Sequence, residues 1–281
     1  MSSMRIGWIG NSYVYFNDLP TMLASMLDES YGLATPTHEQ VTPGGWKLIQ
    51  HAEDERTHAL IGKPWDVLVL QDHSCGPGGA VPDELARTEE LLQNYFAKKV
   101  AAPQILIYGS WGHRQGSVYP QCRNAYPDYA TMQAKTTEGC ARFVSLCGPR
   151  AQLVPVGDAF RRIYEEENAS GQDPQAEESL FRQLFAPDDF HPSRLGSYLA
   201  ACTFAYVLTG TSPVGTSFRP AARCAHDEKL IAKGGAAWEP KSMSDAEVKR
   251  LQEAAAWAVE LHLSTGDLRA VSMAAKRARN R

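Results

Sequence analysis

The sequence predicts an α/β protein in which a parallel sheet is covered by helices on both faces. Three observations predict it. Short apolar runs alternate with amphipathic stretches five times between Met4 and Tyr164. The clearest runs, Val67-Leu68-Val69-Leu70 and Ile105-Leu106-Ile107, are apolar at consecutive positions, as strands buried on both faces are. Polar or glycine-containing turns follow the runs directly, where open α/β sheets bind their ligands. At 281 residues, 43% hydrophobic and 21% charged, the chain reads as a single domain over 1–281, with a core over about 4–213 and a C-terminal helical extension over 214–281.

The first strand is expected over Arg5 to Ile9 and breaks at Gly10, which leaves Ser12 in the turn. Asp18 as N-cap and Pro20 in the first turn start a helix with Met22, Leu23, Met26 and Leu27 on its apolar side. Thr37 to Thr42 is a second strand, ending in Pro43-Gly44-Gly45-Trp46. Leu48 to Leu60 reads as one charged helix on which His51 and His58, two turns apart, are solvated histidines. Trp65 to Leu70 is the third strand and runs into Gln71-Asp72-His73-Ser74. Pro82 to Val100 has helical spacing, and Gln104 to Tyr108 is the fourth strand, followed by the loop Gly109 to Gly116. In that loop Trp111 can stack on a sugar ring or acyl chain and Arg114 can meet a carboxylate; packing within the loop is the alternative. A helix over Tyr126 to Val144, a fifth strand over Ala151 to Val156 and a helix through Tyr164, with Asp158 as its N-cap, complete the alternation. Pro192 to Leu208 is a further helix, and Ser244 with Glu247 forms a capping box ahead of a last one.

Ser12 stands between the first strand and the next helix, a good position for a nucleophile. The chain's Asp-x-x-His, Asp188 to His191, supplies its partners. A carboxylate three residues before a histidine in an irregular loop can turn back to Nδ1–H, fixing the tautomer that leaves Nε2 free to take a hydroxyl proton. Asp158 is a rival acid, explained more simply by its cap. Gly210-Thr211-Ser212 is a second Gly-x-Ser, but it follows a helix and reads as a C-cap turn.

Gly10-Asn11-Ser12 after the first strand, together with Asp188 and His191 before a C-terminal helix, resembles the SGNH (GDSL-like) hydrolases, in a subgroup with Asn in place of the Asp of the first block. The resemblance covers roughly Met4 to Pro213. It implies a three-layer α/β/α fold with a flavodoxin-like parallel sheet of about five strands, and a serine esterase using Ser12, His191 and Asp188 as a triad. It also implies an oxyanion hole from the N–H groups of Ser12 and of Gly44 or Gly45, with Gly45 preferred. Its third donor would be Gln71, where most of the family carries Asn; His73 is the rival on the same loop. Tyr13, Trp46, His73, Trp111 and Arg114 are then candidate substrate contacts, and an O-acetyl or other short acyl ester, on a carbohydrate, is the expected substrate. A non-catalytic binding protein keeping the fold, or an acyltransferase using the same triad, are the alternatives.

The formal net charge of −4 provides no basic field for nucleic acid or an anionic membrane. No run approaches the ~20 apolar residues that span a bilayer. The N-terminus lacks a signal-peptide pattern, so a cytoplasmic location with six reduced cysteines is expected. The Cys and His spacings match no metal site, and no cofactor is implied.

Overall fold

The structure is a computed structural model that describes residues 3–221, 224, 226–227 and 243–266. Five parallel strands, β1 (Arg5–Ile9), β2 (Thr37–Val41), β3 (Val67–Leu70), β4 (Gln104–Tyr108) and β5 (Ala151–Val154), form one sheet in the order β2-β1-β3-β4-β5. Alternate side chains enter opposite layers. Trp8, Val67, Val69, Leu106, Tyr108 and Val154 point into one core, and Ile9, Leu68, Leu70, Ile105, Ile107 and Leu153 into the other.

The first core is closed by α2 (Leu19–Tyr31), α8 (Val156–Ala169) and α10 (Arg194–Thr209), and the second by α3 (Leu48–His51), α4 (Glu55–Ile61), α5 (Pro82–Leu91) and α7 (Tyr129–Cys147). Helix α10 is buried along almost its whole length, because α2 lies on one side of it and α11 (Asp245–Thr265) on the other. The Ser244–Glu247 capping box starts α11 as expected. Buried His262 of α11 meets Asp158 of α8 at 2.7 Å, and Arg161 and Thr137 share the same carboxylate. Asp158 is therefore a docking point for the C-terminal helix, lying inside the first turn of α8 instead of capping it. The remaining α-helices among the described residues are α1 (Ser12–Tyr15), the short α6 (Ala97–Lys99), which continues α5 through a π turn over Leu92–Phe96, and α9 (Leu180–Gln183).

The segment over Leu48 to Leu60 is two helices instead of one. Asp54 accepts from Thr57 N–H and starts α4 afresh, and the break turns His51 inward. His51 is fully buried, with Nε2 2.9 Å from the Gly10 carbonyl and Nδ1 2.9 Å from Thr57 Oγ1, so the expectation of a solvated histidine is overturned. Asp18 occupies the N-cap position of α2, but its side chain caps nothing and its φ is +53°. Among the described residues no helix is long and apolar enough to cross a membrane, and all six cysteines are free thiols.

Candidate active site

The strand order brings the carboxyl ends of β2, β1 and β3 side by side, so that the turns after them share one edge. Ser12 opens α1 immediately after β1. The turn is built by Asn11, whose Oδ1 accepts from Tyr13 N–H at 3.2 Å and whose Nδ2 donates to the Trp46 carbonyl at 2.9 Å. One side-chain amide thus closes the helical turn and ties it to the Gly44-Gly45-Trp46 loop after β2. An Asp at position 11 could do the first but not the second, since it has no donor.

His191 arrives from the far end of the chain. Its Nε2 lies 2.7 Å from Ser12 Oγ, and its Nδ1 lies 2.7 Å from Asp188 Oδ2. The other carboxylate oxygen of Asp188 accepts from the His191 and Phe190 N–H groups at 3.0 and 3.3 Å, so the loop folds around its own acid. Burial pushes the Asp188 carboxyl upward, but the His191 ring and these N–H groups outweigh it and hold it below the usual carboxylate range. With Asp188 ionised, the Nδ1 proton is retained and Nε2 faces the serine as an acceptor.

Two further contacts place this loop. Asn17, at φ +54°, donates from Nδ2 to the Pro192 carbonyl at 3.0 Å and to Ser197 Oγ at 2.8 Å, joining the serine's segment to the histidine's. On the other side Arg114 N–H donates to the Asp189 carbonyl at 2.9 Å and its Nε to Asp189 Oδ1 at 2.8 Å. Asp189 has φ +69°, an unfavourable conformation for a residue with a side chain, and these bonds hold it.

These are three strand-end turns and one distant Asp-x-x-His loop converging on a single edge of a β2-β1-β3-β4-β5 sheet. The fold is that of the SGNH hydrolases. A protein of Slackia heliotrinireducens assigned to the SGNH hydrolases is 29% identical, matching 73% of this chain and 98% of its own at a TM-score of 0.55. A DUF4886-family protein of Bacteroides uniformis is 16% identical over 92% of this chain and 95% of its own, with a TM-score of 0.66. An acetylxylan esterase of Geobacillus stearothermophilus is 14% identical over 72% of this chain and 93% of its own, at 0.51. No protein-family model matches the sequence, and no curated protein does.

Within this SGNH fold several expected site residues hold other positions. Gln71 is fully buried; its Oε1 accepts from Asn11 N–H at 2.8 Å and its Nε2 donates to the Asp72 carbonyl. A β-carbon on Gly10 would stand 2.6 Å from Gln71 Oε1, so this amide lies beneath the turn that carries Ser12 instead of facing the crevice. Trp111 is also fully buried, sandwiched between Tyr13 at 4.5 Å and Phe160 at 4.4 Å with ring planes 2° and 4° from parallel. Its Nε1 donates to the Phe190 carbonyl at 3.0 Å, so both ring faces are covered and it supports the histidine loop from behind. Tyr13 is buried in the same stack. Arg114 is spent on Asp189 and on Gln175 Oε1 at 2.6 Å, which leaves its guanidinium committed within the protein. Trp46 is half-buried, packed on His51, with the Arg56 guanidinium 5.4 Å from its ring centre.

His73 differs. Its Nδ1 accepts from Cys75 N–H at 3.3 Å, which puts the ring proton on Nε2. Burial, with the Lys47 charge adding to it, pushes its pKa down to about 4, so the ring is neutral at ordinary pH. Asp72 beside it is buried, and burial pushes its carboxyl up to about 6 against the pull of N–H donors from Leu48 and His73. Gly45 has φ +73° and open space where a side chain would be, so its backbone is accessible in the loop that Asn11 holds.

Sequence reasoning missed the rings around His191. Phe16 lies parallel to the imidazole at 4.0 Å, and Phe190 lies 4.0 Å away on a tilted plane. Tyr119 links Phe190 to His73, with ring centres 5.9 and 5.1 Å away. Phe16 stands four residues after Ser12, a spacing that puts two side chains on one helical face and could have singled it out. Ser74 and His113 form a second buried Ser–His contact: Val118 N–H occupies His113 Nδ1, so Nε2 donates to Ser74 Oγ at 2.9 Å. Burial pushes the His113 pKa down to about 3, aided by His73 and His191 nearby, so it is a neutral donor.

Proposed function

We propose that the protein is a serine esterase acting on a short acyl ester, most simply an O-acetyl group on a carbohydrate. The observation that carries this reading is the continuous contact from Ser12 Oγ through His191 to Asp188, 2.7 Å at each step. Ser12 Oγ attacks the ester carbonyl as its proton passes to His191 Nε2; Asp188 stabilises the imidazolium. The tetrahedral intermediate collapses, and the leaving alcohol takes that proton. Water then enters, is deprotonated by the same nitrogen and hydrolyses the acyl-enzyme.

The oxyanion is received by the N–H groups of Ser12 and Gly45. Asn11 takes the neighbouring Tyr13 and Val14 donors on its side-chain and main-chain oxygens, which leaves the Ser12 N–H for the substrate. His73 is the third donor in place of Gln71, because its proton sits on Nε2 while the Gln71 side chain is fully buried, accepting from Asn11 N–H and donating to the Asp72 carbonyl. Each good donor in such a site contributes about 3–4 kcal/mol to the transition state.

Asn11 and Gln71, the two departures from the family pattern, are both hydrogen-bonded into the turn that carries Ser12, which supports the esterase over a non-catalytic binding protein. The test is to treat the protein with a fluorophosphonate and map the adduct. Labelling at Ser12, abolished by Ser12→Ala along with acetyl-ester hydrolysis, is the expected result. A folded protein that labels nowhere would sink the proposal.

A further inference from the structure

The loop after β4 is pinned to α7 and reaches both halves of the site. Gly112 N–H donates to Gln133 Oε1 at 2.9 Å, and His113 N–H lies 3.2 Å from Met132 Sδ, both partners being residues of α7. From this base Trp111 Nε1 meets the Phe190 carbonyl at 3.0 Å and Arg114 Nε meets Asp189 at 2.8 Å, which holds the loop that carries His191. His113, between them, reaches the loop after β3 as well. Its Nε2 lies 2.9 Å from Ser74 Oγ, while its ring centre lies 5.3 Å from that of Phe190 and 5.6 Å from that of Tyr119. Both His113 and Ser74 are buried, so the bond between them is shielded from solvent. His113 Nε2 is the donor, because Val118 N–H occupies Nδ1. A nitrogen that donates cannot take a hydroxyl proton, so the pair is not a second nucleophile with its base. The chemistry at Ser12 does not use it.

We propose that His113 and Ser74 are positioning residues for the oxyanion hole, their bond fixing the His73 ring relative to His191. The inference rests on the esterase reading above, with His73 as an oxyanion donor. Ser74 stands between His73 and Cys75, whose N–H donates to His73 Nδ1 at 3.3 Å and so keeps the His73 proton on Nε2. That bond is long and closes across a single residue. The residue in the middle decides whether it stays closed, and His113 holds that residue by its side chain. The stretch from Trp111 to Arg114 therefore sets the base loop through its two ends and the oxyanion loop through His113. An oxyanion donor acts only where charge develops, so the two loops must keep one spacing. Tying both to a single stretch, itself fixed on a helix, keeps that spacing. Burial pushes the His113 pKa down to about 3, so the tie does not change with pH near neutrality.

Two measurements test this. The first takes kcat and KM on a small acetate ester for Ser74→Ala, His113→Phe and His113→Gln, each alone and combined with His73→Ala. Ser74→Ala and His113→Phe break the bond from opposite sides, so a folding failure in one leaves the other to decide. His113→Gln keeps an amide donor. The expected result is a roughly tenfold fall in kcat for the first two, with KM within about twofold, and a smaller fall for His113→Gln. Once His73 is alanine, the same changes should cost less than about twofold. Equal costs with and without His73 would mean that the pair acts through packing and would overturn the proposal, as would an unchanged kcat. An active protein indifferent to His73→Ala would remove His73 from the oxyanion hole, and the proposal with it. The second measurement follows the ring-nitrogen NMR resonances of His73, assigned by their loss in His73→Gln. The two nitrogens should be well separated in the wild type, as a single tautomer requires, and should move toward each other in Ser74→Ala and His113→Phe. Unmoved resonances would overturn the positioning role. This readout needs no turnover. An inactive wild type would therefore refute the esterase reading, and the nitrogen shifts would still decide whether the pair fixes His73.

Discussion

The His191 imidazole lies flat on the Phe16 ring, centres 4.0 Å apart and planes 3° from parallel, while its Nε2 points 2.7 Å from Ser12 Oγ. The residue that opens α1 and the residue just past its end therefore hold the same ring, one at its nitrogen and one on its face. Phe16→Leu should loosen the imidazole without opening a large cavity. We expect kcat on a small acetate ester to fall roughly tenfold with little change in melting temperature, since a misplacement of about 1 Å can cost ~10² in rate. Unaltered kcat would show that Asp188 alone orients the base.

Gln71 and His73 lie two residues apart on the same loop and should behave differently. Gln71→Ala removes the acceptor for Asn11 N–H from a fully buried place, so its main effect should be destabilisation, about 1–3 kcal/mol in chemical denaturation. His73→Ala should leave stability closer to wild type and lower kcat by ~10²-fold or more with a smaller effect on KM. The reverse pattern would return the oxyanion donor to Gln71.

Asn11→Asp converts the group facing the Trp46 carbonyl from donor to acceptor and adds negative charge beside the developing oxyanion. The expected outcome is a ten- to hundredfold loss of kcat together with weaker holding of the Gly44-Gly45 loop. Faster hydrogen exchange at Gly45 and Trp46 in the variant, read by mass spectrometry, would show the loop released. A fully active Asn11→Asp protein would remove the loop tie from the mechanism.

Asp72 provides a pH dependence of stability. Its folded-state pKa is raised to about 6, so its contribution to stability is complete below the ordinary carboxylate pKa and is lost as pH rises through about 6. Asp72→Asn keeps an acceptor for Leu48 N–H and does not titrate. The melting-temperature difference between Asp72→Asn and wild type should therefore shift in favour of the variant between pH 4 and pH 7. The change corresponds to about 2–3 kcal/mol at most. A difference that stays constant over that range would mean that Asp72 is ionised throughout.

Much of this was legible from local pattern. The five strands were read within a few residues of where they lie, because each is a short apolar run closed by a turn former. Ser12, Asp188 and His191 were singled out from two short motifs, and the structure brings those three side chains together across 179 residues of chain. What pattern left open at the functional edge has one cause. Gln71, Trp111 and Arg114 all follow strands at the functional edge, and position along the chain cannot distinguish a side chain facing the crevice from one turned into the wall behind it. Trp111 and Arg114 both support the histidine loop, through the Phe190 carbonyl and Asp189, a role that exists only once that loop has returned.

The sequence by itself determined the alternation of strand and helix, the parallel sheet that such alternation requires, and the residue types able to do acyl chemistry. Each of these follows from local periodicity and from the intrinsic chemistry of single side chains. Tertiary structure alone decided which amides remain open to a substrate, that His51 and Asp158 are buried partners of Gly10 and His262, and that the extension lays His226 on Phe16. Those outcomes depend on hydrogen bonds and ring contacts between segments tens to hundreds of residues apart. A donor's availability is set by what the rest of the chain places in front of it.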